Sequence, residues 1–478
     1  MAWQGKILRV DLTNLSAKEE PLNMAWAEDY IGQRGLGTKY LMEEIDPKID
    51  PLSPDNKLIF ATGPMTGTGA STGGRWSVIT KGALTGAIAC SNSGGHFGGE
   101  LKTAGWDMII FEGRAPKPVY LYIQNDKVEI LDADGFIWGH TVWETEDMVC
   151  NRHHDPEIKL ASIGVAGEQG VKYACVVNDR DRAAGRSGVG TVMGSKNLKT
   201  VAVRGTKGVS VDDPKKFLAV SAAASAKLNA TADAKRRSAV GTMAMMDVTN
   251  SWGCLPTRNC QDVQFEGAHN INVAAMLRIR KSDGKSNLKT NKGCFACTIA
   301  CGRVSVIDPT HFSIRDKGDK YKGAEGGLEY EGGFALGPFC GVDDIEAATY
   351  AQALCNEHSM DPISFGATLG AAMELFEIGA ITTENTGGMA LNFGSAEALC
   401  WAAEVTGTQQ GFGKELGLGS KLLCEKYGHP ELSMSVKGQE CAGYDPRAMQ
   451  GMGLLYATSN RGACHLRGAA WTEDFTDV

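Results

Sequence analysis

The sequence predicts an α+β protein, with a β-rich N-terminal domain over residues 1–208 and mainly α-helical domains after it. Two observations carry this: short strand patterns fill the chain before residue 206, and alanine-rich helical periodicity takes over after Pro214. Leu8, Val10 and Leu12 alternate with Arg9 and Asp11, the period-two pattern of a half-buried strand. Further strands are expected at 57–61, 108–112, 119–123, 127–131 and 201–203. The third and fourth of these flank Gln124-Asn125-Asp126, a hairpin turn signal. Helices are expected to be few in this part, with 25–31 and 141–153 the leading candidates. The second opens with Thr141 and has Glu144 three residues on, a capping-box pattern. Asp212-Asp213-Pro214 then starts a helix, with a carboxylate cap and proline in the first turn. Its alanine-rich body, 217–228, is followed by helical patterns at 343–358, 362–378, 395–406 and 414–427, punctuated by glycine and proline. The polar stretch 303–326 reads as a surface loop or short hairpin. These signals divide the chain into 1–208, a helical 209–430 and the start of a third helical domain at 431–478.

Composition narrows the function classes. The net charge is −8 and charged residues make up 22%, with no basic clustering of the kind nucleic-acid binding requires. No run of about 18 apolar residues exists to span a membrane. The N-terminus lacks a charged start followed by an apolar run. Most of the 14 cysteines sit in apolar surroundings, as buried free thiols of a reducing cytosol do. A cytoplasmic protein is therefore expected. Sixty glycines, clustered in short turns, suit close backbone approach to a large ligand or many tight turns.

The exception among the cysteines is Cys294, Cys297 and Cys301, a C-x2-C-x3-C run. Thiolates this close serve one soft metal centre. C-x2-C alone also suits zinc. The third cysteine favours a 4Fe–4S cluster, with zinc and chance clustering as the competing readings, and a fourth ligand has to come from elsewhere.

Several strings, in this order, resemble the tungsten-containing aldehyde:ferredoxin oxidoreductase family. They are Ala61-Thr62-Gly63-Pro64, Gly74-Arg75, Ser91-Asn92-Ser93-Gly94-Gly95, Arg182-Ala183-Ala184-Gly185-Arg186 and Met193-Gly194-Ser195-Lys196. Leu255-Pro256-Thr257-Arg258-Asn259, the cysteine run, Glu329-Tyr330-Glu331, Tyr444-Asp445-Pro446-Arg447 and Ser459-Asn460-Arg461-Gly462 complete the series, which spans the chain. The resemblance implies a tungsten atom (molybdenum fits the same sulfurs) held by the dithiolenes of two pterins in the N-terminal domain, one 4Fe–4S cluster and a magnesium ion. It assigns Cys294, Cys297 and Cys301 to the cluster and the Asn92 and Ala183 positions to magnesium. It places Arg75 between cluster and pterin, and Asn92, Gly94, Arg182, Ala183, Gly185 and Arg186 around phosphate or pterin, with Arg75, Asn92, Arg182 and Arg186 in one buried site. Arg461 and Arg467 match further cofactor contacts. The family's D-x-x-G-L-D pterin contact corresponds to residues 356–361, where Asp361 is kept while Asn356, Ser359 and Met360 depart from the pattern. As a simpler reading, Asp361 caps the helix opened by Pro362.

The activity so implied is oxidation of an aldehyde to a carboxylic acid, with Glu331, His465 and Tyr330 in the active-site positions. Glu331 is preferred over its neighbour Glu329, and Gly332, where the family has threonine, is expected to enlarge the pocket. Electrons would leave to ferredoxin or a small iron–sulfur subunit, with a flavin subunit in some family members, and an oligomer is expected. A benzoyl-CoA-reductase-type tungsten subunit and a cofactor-free electron-transfer or structural subunit are the alternatives. The family's fourth cluster cysteine follows the His465 motif in a D-x-x-G-L-C stretch that these 478 residues do not contain. A fragment is therefore expected, with the fourth ligand beyond residue 478, or else Cys464 or Cys340 substituting.

Overall fold

A computed structural model describes residues 2–323 and 326–468. The N-terminal part contains two six-stranded mixed sheets. The first comprises β1 (Lys6–Asp11), β2 (Ser16–Pro21), β3 (Leu58–Thr62), β4 (Trp76–Lys81), β5 (Ile88–Ser93) and β6 (Met108–Glu112), in the order β2-β1-β6-β3-β4-β5. The second comprises β7 (Val119–Gln124), β8 (Lys127–Asp132), β9 (Lys159–Ser162), β10 (Val176–Asn178), β11 (Arg182–Ala184) and β12 (Leu198–Arg204), in the order β11-β10-β9-β12-β7-β8. Only β1–β6 and β7–β12 pair in parallel. Apolar side chains of the two sheets, among them Phe60, Trp76, Phe111 and Val201, form one buried core with Phe97 of the helix Phe97–Thr103.

The expected strands are present with ends within a residue or two, except that β12 starts three residues before the expected 201. Six others are not among those expected: β2, β4, β5 and the short strands β9, β10 and β11. β4 is buried on both faces, β5 is small and polar, and β2 is a polar edge strand. The expected hairpin β7–β8 forms in register from Gln124↔Lys127 outward. The capping box at Thr141 is made in full, with Thr141 Oγ1 accepting from Glu144 N–H and the Glu144 side chain accepting from Thr141 N–H. A helix at Gln33–Glu44 had no clear signature because Gly35 and Gly37 interrupt its apolar face.

The two sheets meet at one edge of each. Ser93 Oγ donates to Asn178 Oδ1 (2.7 Å), Asn178 Nδ2 to Gly94 O (3.0 Å) and Arg186 N–H to Ser91 Oγ (3.0 Å). This seam between β5 and the β10–β11 hairpin puts the glycine turn after β5 beside Arg182 and Arg186.

The helical part packs around Ile345–His358 and Pro362–Glu377, which are buried over most of their lengths. The helix expected at 414–427 is instead two, Gly413–Leu416 and Ser420–Lys426. Gly419, at φ +84°, turns the chain between them, and the Ser420 N–H donates to the buried Glu440. Stretch 303–326 begins as strand: Gly302–Ser305 pairs antiparallel with Leu288–Lys292, and turns follow. From 431 on, a two-residue hairpin (Ser435–Val436 with Gln439–Glu440) precedes a helix at Gln450–Thr458, and Ala442, Met452 and Tyr456 join the same core as the preceding helices. Residues 469–478 of that stretch lie outside the described residues.

The Met193-Gly194-Ser195-Lys196 string has a packing explanation. A β-carbon at Gly194 would stand 2.0 Å from the Gly167 carbonyl oxygen, where two short helices touch. Gly194→Ala forces backbone to move, and we expect a loss of about 1–3 kcal/mol, read as a lowered thermal midpoint.

Candidate active site

The cysteine run forms the loop of the hairpin between Leu288–Lys292 and Gly302–Ser305, with Ala296 and Ala300 at positive φ (51° and 53°). The loop is seated in the glycine turns of the N-terminal part. Phe295 N–H donates to Gly95 O (3.1 Å) and Thr72 N–H to Ala296 O (3.0 Å). A β-carbon at Gly94 would come within 2.8 Å of Cys294 Sγ. Part of the glycine excess is thus explained by close approach of the cysteine loop to the β5 turn. Among the described residues no three His, Cys, Asp or Glu side chains converge on a single ion. A cubane takes one thiolate per iron, so its ligands stand apart rather than meeting at a point.

Two cavities meet at Arg75, and the smaller is lined by this loop. The larger, about 660 Å³, is walled by Gly63, Pro64, Arg75, Asn92, Arg461 and Arg467. The smaller, about 250 Å³, has Cys294 and Cys301 on one side and Arg182, Ala183, Glu331 and Met360 on others. Arg75 borders both cavities. Its Nη1 donates to Asn92 Oδ1 (2.8 Å). The expectation of one buried site around Arg75, Asn92, Arg182 and Arg186 is corrected here. Arg75 and Asn92 are exposed on the wall of the larger cavity, Arg75 and Arg182 both line the smaller one, and Arg186 is buried.

Arg182 Nη1 donates to Glu329 Oε1 (2.9 Å), so the Glu329 carboxylate is engaged in an ion pair, while both it and Glu331 line the smaller cavity. Glu331, in the first turn of the Tyr330–Leu336 helix, accepts from Gly443 N–H at Oε2 (3.0 Å). Its Oε1 stands 3.7 Å from His465 Nε2 and has no hydrogen-bond partner among the described residues; neither has His465 Nδ1. The chain thus brings residues 331 and 465 together. Burial pushes the Glu331 carboxyl up to about 7, against the pull of the Gly443 N–H and Arg186. Burial, helped by the Arg186 and Arg461 charges, pushes His465 down to about 3. At neutral pH the pair is therefore a carboxyl poised to exchange a proton beside a neutral imidazole. Tyr330 is fully buried, and its hydroxyl bonds to Gly443 O and Thr249 Oγ1. It holds the segment whose N–H grips Glu331.

Arg186 Nε pairs with Asp361 Oδ2 (2.8 Å) and Nη2 donates to Glu440 O (2.6 Å), while Nη1 has no partner among the described residues. Asp361 also caps the Pro362–Glu377 helix, accepting from Ile363 N–H (3.1 Å) and Ser364 Oγ (2.9 Å). It thus combines the capping role with a buried ion pair. At Gly185 a β-carbon would meet nothing closer than 3.9 Å. Asn356 Oδ1 accepts from Gln352 Nε2 (3.1 Å), and both line the smaller cavity. Gln352 corrects the expectation for Gly332: a β-carbon there would lie 2.3 Å from Gln352 Oε1, so the space is filled by the glutamine and the pocket is not enlarged.

Arg461 and Arg467 reach the larger cavity from the C-terminal side, each donating to Cys90 O (2.9 and 3.0 Å). Cys464 Sγ accepts from Arg461 Nε and Nη2 (3.0 and 2.8 Å), and the Cys340 thiol donates to Ala335 O and Gly366 O (each 3.4 Å). Both thiols proposed as substitute ligands are thus buried and engaged away from the cysteine loop. Arg303, two residues after Cys301, was not singled out from sequence. It is 2% exposed, lines the smaller cavity and bonds Asn291 Oδ1 (2.9 Å). Its nearness in sequence to the cysteine run was the available signal. No described helix is long and apolar enough to cross a membrane.

Thiols, orphaned arginine donors and a carboxyl–imidazole pair around shared cavities are the furniture of an oxidoreductase built around a large anionic redox cofactor. Residues 7–205 match the family described as aldehyde ferredoxin oxidoreductase, N-terminal domain, and residues 219–477 match aldehyde ferredoxin oxidoreductase, domains 2 & 3. The chain belongs to the aldehyde ferredoxin oxidoreductase family and is an oxidoreductase. It is 46% identical over 469 residues to the tungsten-containing aldehyde ferredoxin oxidoreductase of Pyrococcus abyssi, covering 97% of this chain and 74% of that protein. It is 30% identical over 436 residues to an aliphatic sulfonate oxidoreductase, WOR-like subunit, of Pyrococcus furiosus, covering 88% of this chain and 66% of that one. Among solved structures it resembles the active site complex BamBC of benzoyl coenzyme A reductase bound to 1,5-dienoyl-CoA. The TM-score is 0.81 at 25% identity, over 96% of this chain and 70% of that one.

Proposed function

We propose that this chain oxidises aldehydes to carboxylic acids with a tungsten bis-pterin and passes the electrons through a 4Fe–4S cluster to ferredoxin or a small iron–sulfur subunit. The observation that carries the reading is the placement of Glu331 against His465 beside cavities rich in buried, partly unpartnered arginine donors. These donors suit the phosphates and pterin edges of such a cofactor. Arg75, Asn92, Gly94, Arg182, Ala183, Gly185, Arg186, Asn356, Met360, Asp361, Arg461 and Arg467 would hold it. The main-chain oxygens at Asn92 and Ala183 would take a magnesium ion, since alanine offers no other ligand. Cys294, Cys297 and Cys301 would hold the cluster.

When bound, these groups supply the two-electron oxidation and the one-electron exit. Aldehyde and water give acid, two electrons and two protons. Glu331, as carboxylate, accepts the proton from water adding to the carbonyl. His465, kept neutral by burial and the Arg186 and Arg461 charges, orients the water by hydrogen bonding, and the second proton passes to bulk water. Tyr330 positions Glu331 through Gly443. A flavin-containing subunit and an oligomeric assembly belong to the same proposal.

The test is product analysis with purified protein. Dye reduction with stoichiometric acid from a panel of aliphatic and aromatic aldehydes supports the reading. The likeness to the benzoyl coenzyme A reductase complex favours one alternative, so benzoyl-CoA with a low-potential reductant is the second arm. Turnover there without aldehyde oxidation shifts the assignment to ring reduction. Inactivity in both, with neither tungsten nor molybdenum bound, leaves the cofactor-free subunit.

A further inference from the structure

We infer that a lysine-rich face around the cysteine hairpin is the docking surface for a small acidic protein carrying a one-electron redox centre. The inference deepens the proposed function by naming the surface through which the electrons leave. Residues 278–292, which lead into the cysteine loop, carry six cations against one carboxylate in a chain of net charge −8. Lys289 is five residues before Cys294 on the same hairpin, within about 18 Å by chain length.

The second half of the face is the helix Pro214–Ala230, which has no buried residue, followed by Ala232–Val240. This pair is fastened to the cysteine hairpin. Asn291 Nδ2 donates to Ser238 O (2.6 Å) and Arg303 Nη2 to Arg237 O (3.2 Å). Lys215, Lys216, Lys227, Lys235, Lys285 and Lys289 are exposed, and none has an ion-pair partner among the described residues. Arg236, Arg237 and Arg280 are by contrast neutralised by Asp233, Asp283 and Glu346. Leu218 and Val220 follow Lys215 and Lys216 along the helix, Ile279 lies two residues before Lys281 in the chain, and the three are 64%, 61% and 65% exposed.

Physical chemistry selects the occupant. Unpaired lysines together with exposed apolar side chains suit a carboxylate-rich partner. Such charges act mainly on encounter and orientation, which suits a carrier that must bind, take one electron and leave. A 17-residue helix that buries nothing of itself gains most of its stability from what packs on it.

The experiment measures binding of an acidic bacterial-type ferredoxin to the holoenzyme directly, at low ionic strength and at about 0.3 M salt, where the Debye length is well under 10 Å. The proteins compared are the wild type, Lys285→Glu/Lys289→Glu and Lys215→Glu/Lys216→Glu. We expect wild-type affinity to fall with salt and each double variant to lose about tenfold or more. Aldehyde turnover with a viologen dye, which needs no protein docking, should stay at the wild-type level and certifies the fold. Unchanged ferredoxin affinity in both variants overturns the proposal. So does equal binding of the basic protein cytochrome c, or tighter binding of a single-stranded RNA oligomer than of ferredoxin. If dye turnover with aldehydes fails in the wild type while charge-dependent ferredoxin binding persists, the docking surface stands and the aldehyde reading falls.

Discussion

Glu331→Gln lowers aldehyde turnover by about 10²-fold or more while metal content stays at the wild-type level, because glutamine keeps the shape and the Gly443 N–H bond but cannot take a proton. The pH profile gives the same residue a second signature. A base held near 7 makes wild-type kcat rise with pH through about 7, and the residual activity of the variant lacks that limb. Stability supplies a readout independent of chemistry. The folded-state value lies above the ordinary 4.5, so the folded protein is at full strength below 4.5. It then loses stability as pH rises through about 7, because the unfolded chain ionises first. Glu331→Gln removes that loss. The variant should be more stable than wild type by about 2–3 kcal/mol at pH 8, with no difference below pH 4. His465 runs the other way. Its folded value near 3 lies below the ordinary 6.5, so stability is full above 6.5 and falls as pH drops toward 3. Near-normal turnover in Glu331→Gln, or a stability difference independent of pH, removes Glu331 from the mechanism.

Arg186→Met is expected to cost about 3–5 kcal/mol and to strip the cofactor together with the stability. The guanidinium is the buried counter-charge of Asp361 and also holds the Glu440 carbonyl, so its loss strands a carboxylate in the interior. Lysine should not rescue it, since a single ammonium cannot reproduce the planar fork that serves both partners. Asp361→Asn added to Arg186→Met should recover part of the stability, because the stranded charge is gone, yet recover no cofactor. Wild-type metal content in Arg186→Met would show that this arginine only braces the fold.

What could be read from the sequence was local. The cysteine run, the capping box at Thr141, the hairpin at 124–127 and the helix started by Asp213-Pro214 each declare themselves within a few residues. β4 and β5 do not, because a strand buried on both faces, or one made of small polar residues, lacks alternation. Glu331 and His465 could be paired only through the family resemblance, since no spacing rule links residues so far apart. The partners of Arg186 are equally remote, as is the filling of the Gly332 space by Gln352. The glycine turns suit ligand cradles by sequence, yet the nearest neighbour at Gly94 is Cys294 of the cysteine loop, and at Gly95 it is the Asp179 and Asn178 side chains.

The most direct test of the whole account is metal analysis of the protein purified from its native host, in the same sample used for aldehyde turnover. The account predicts about one tungsten or molybdenum and about four irons per chain, with turnover proportional to the heavy-metal content. Aldehyde turnover without either heavy metal, or a chain carrying zinc in place of iron, would contradict it.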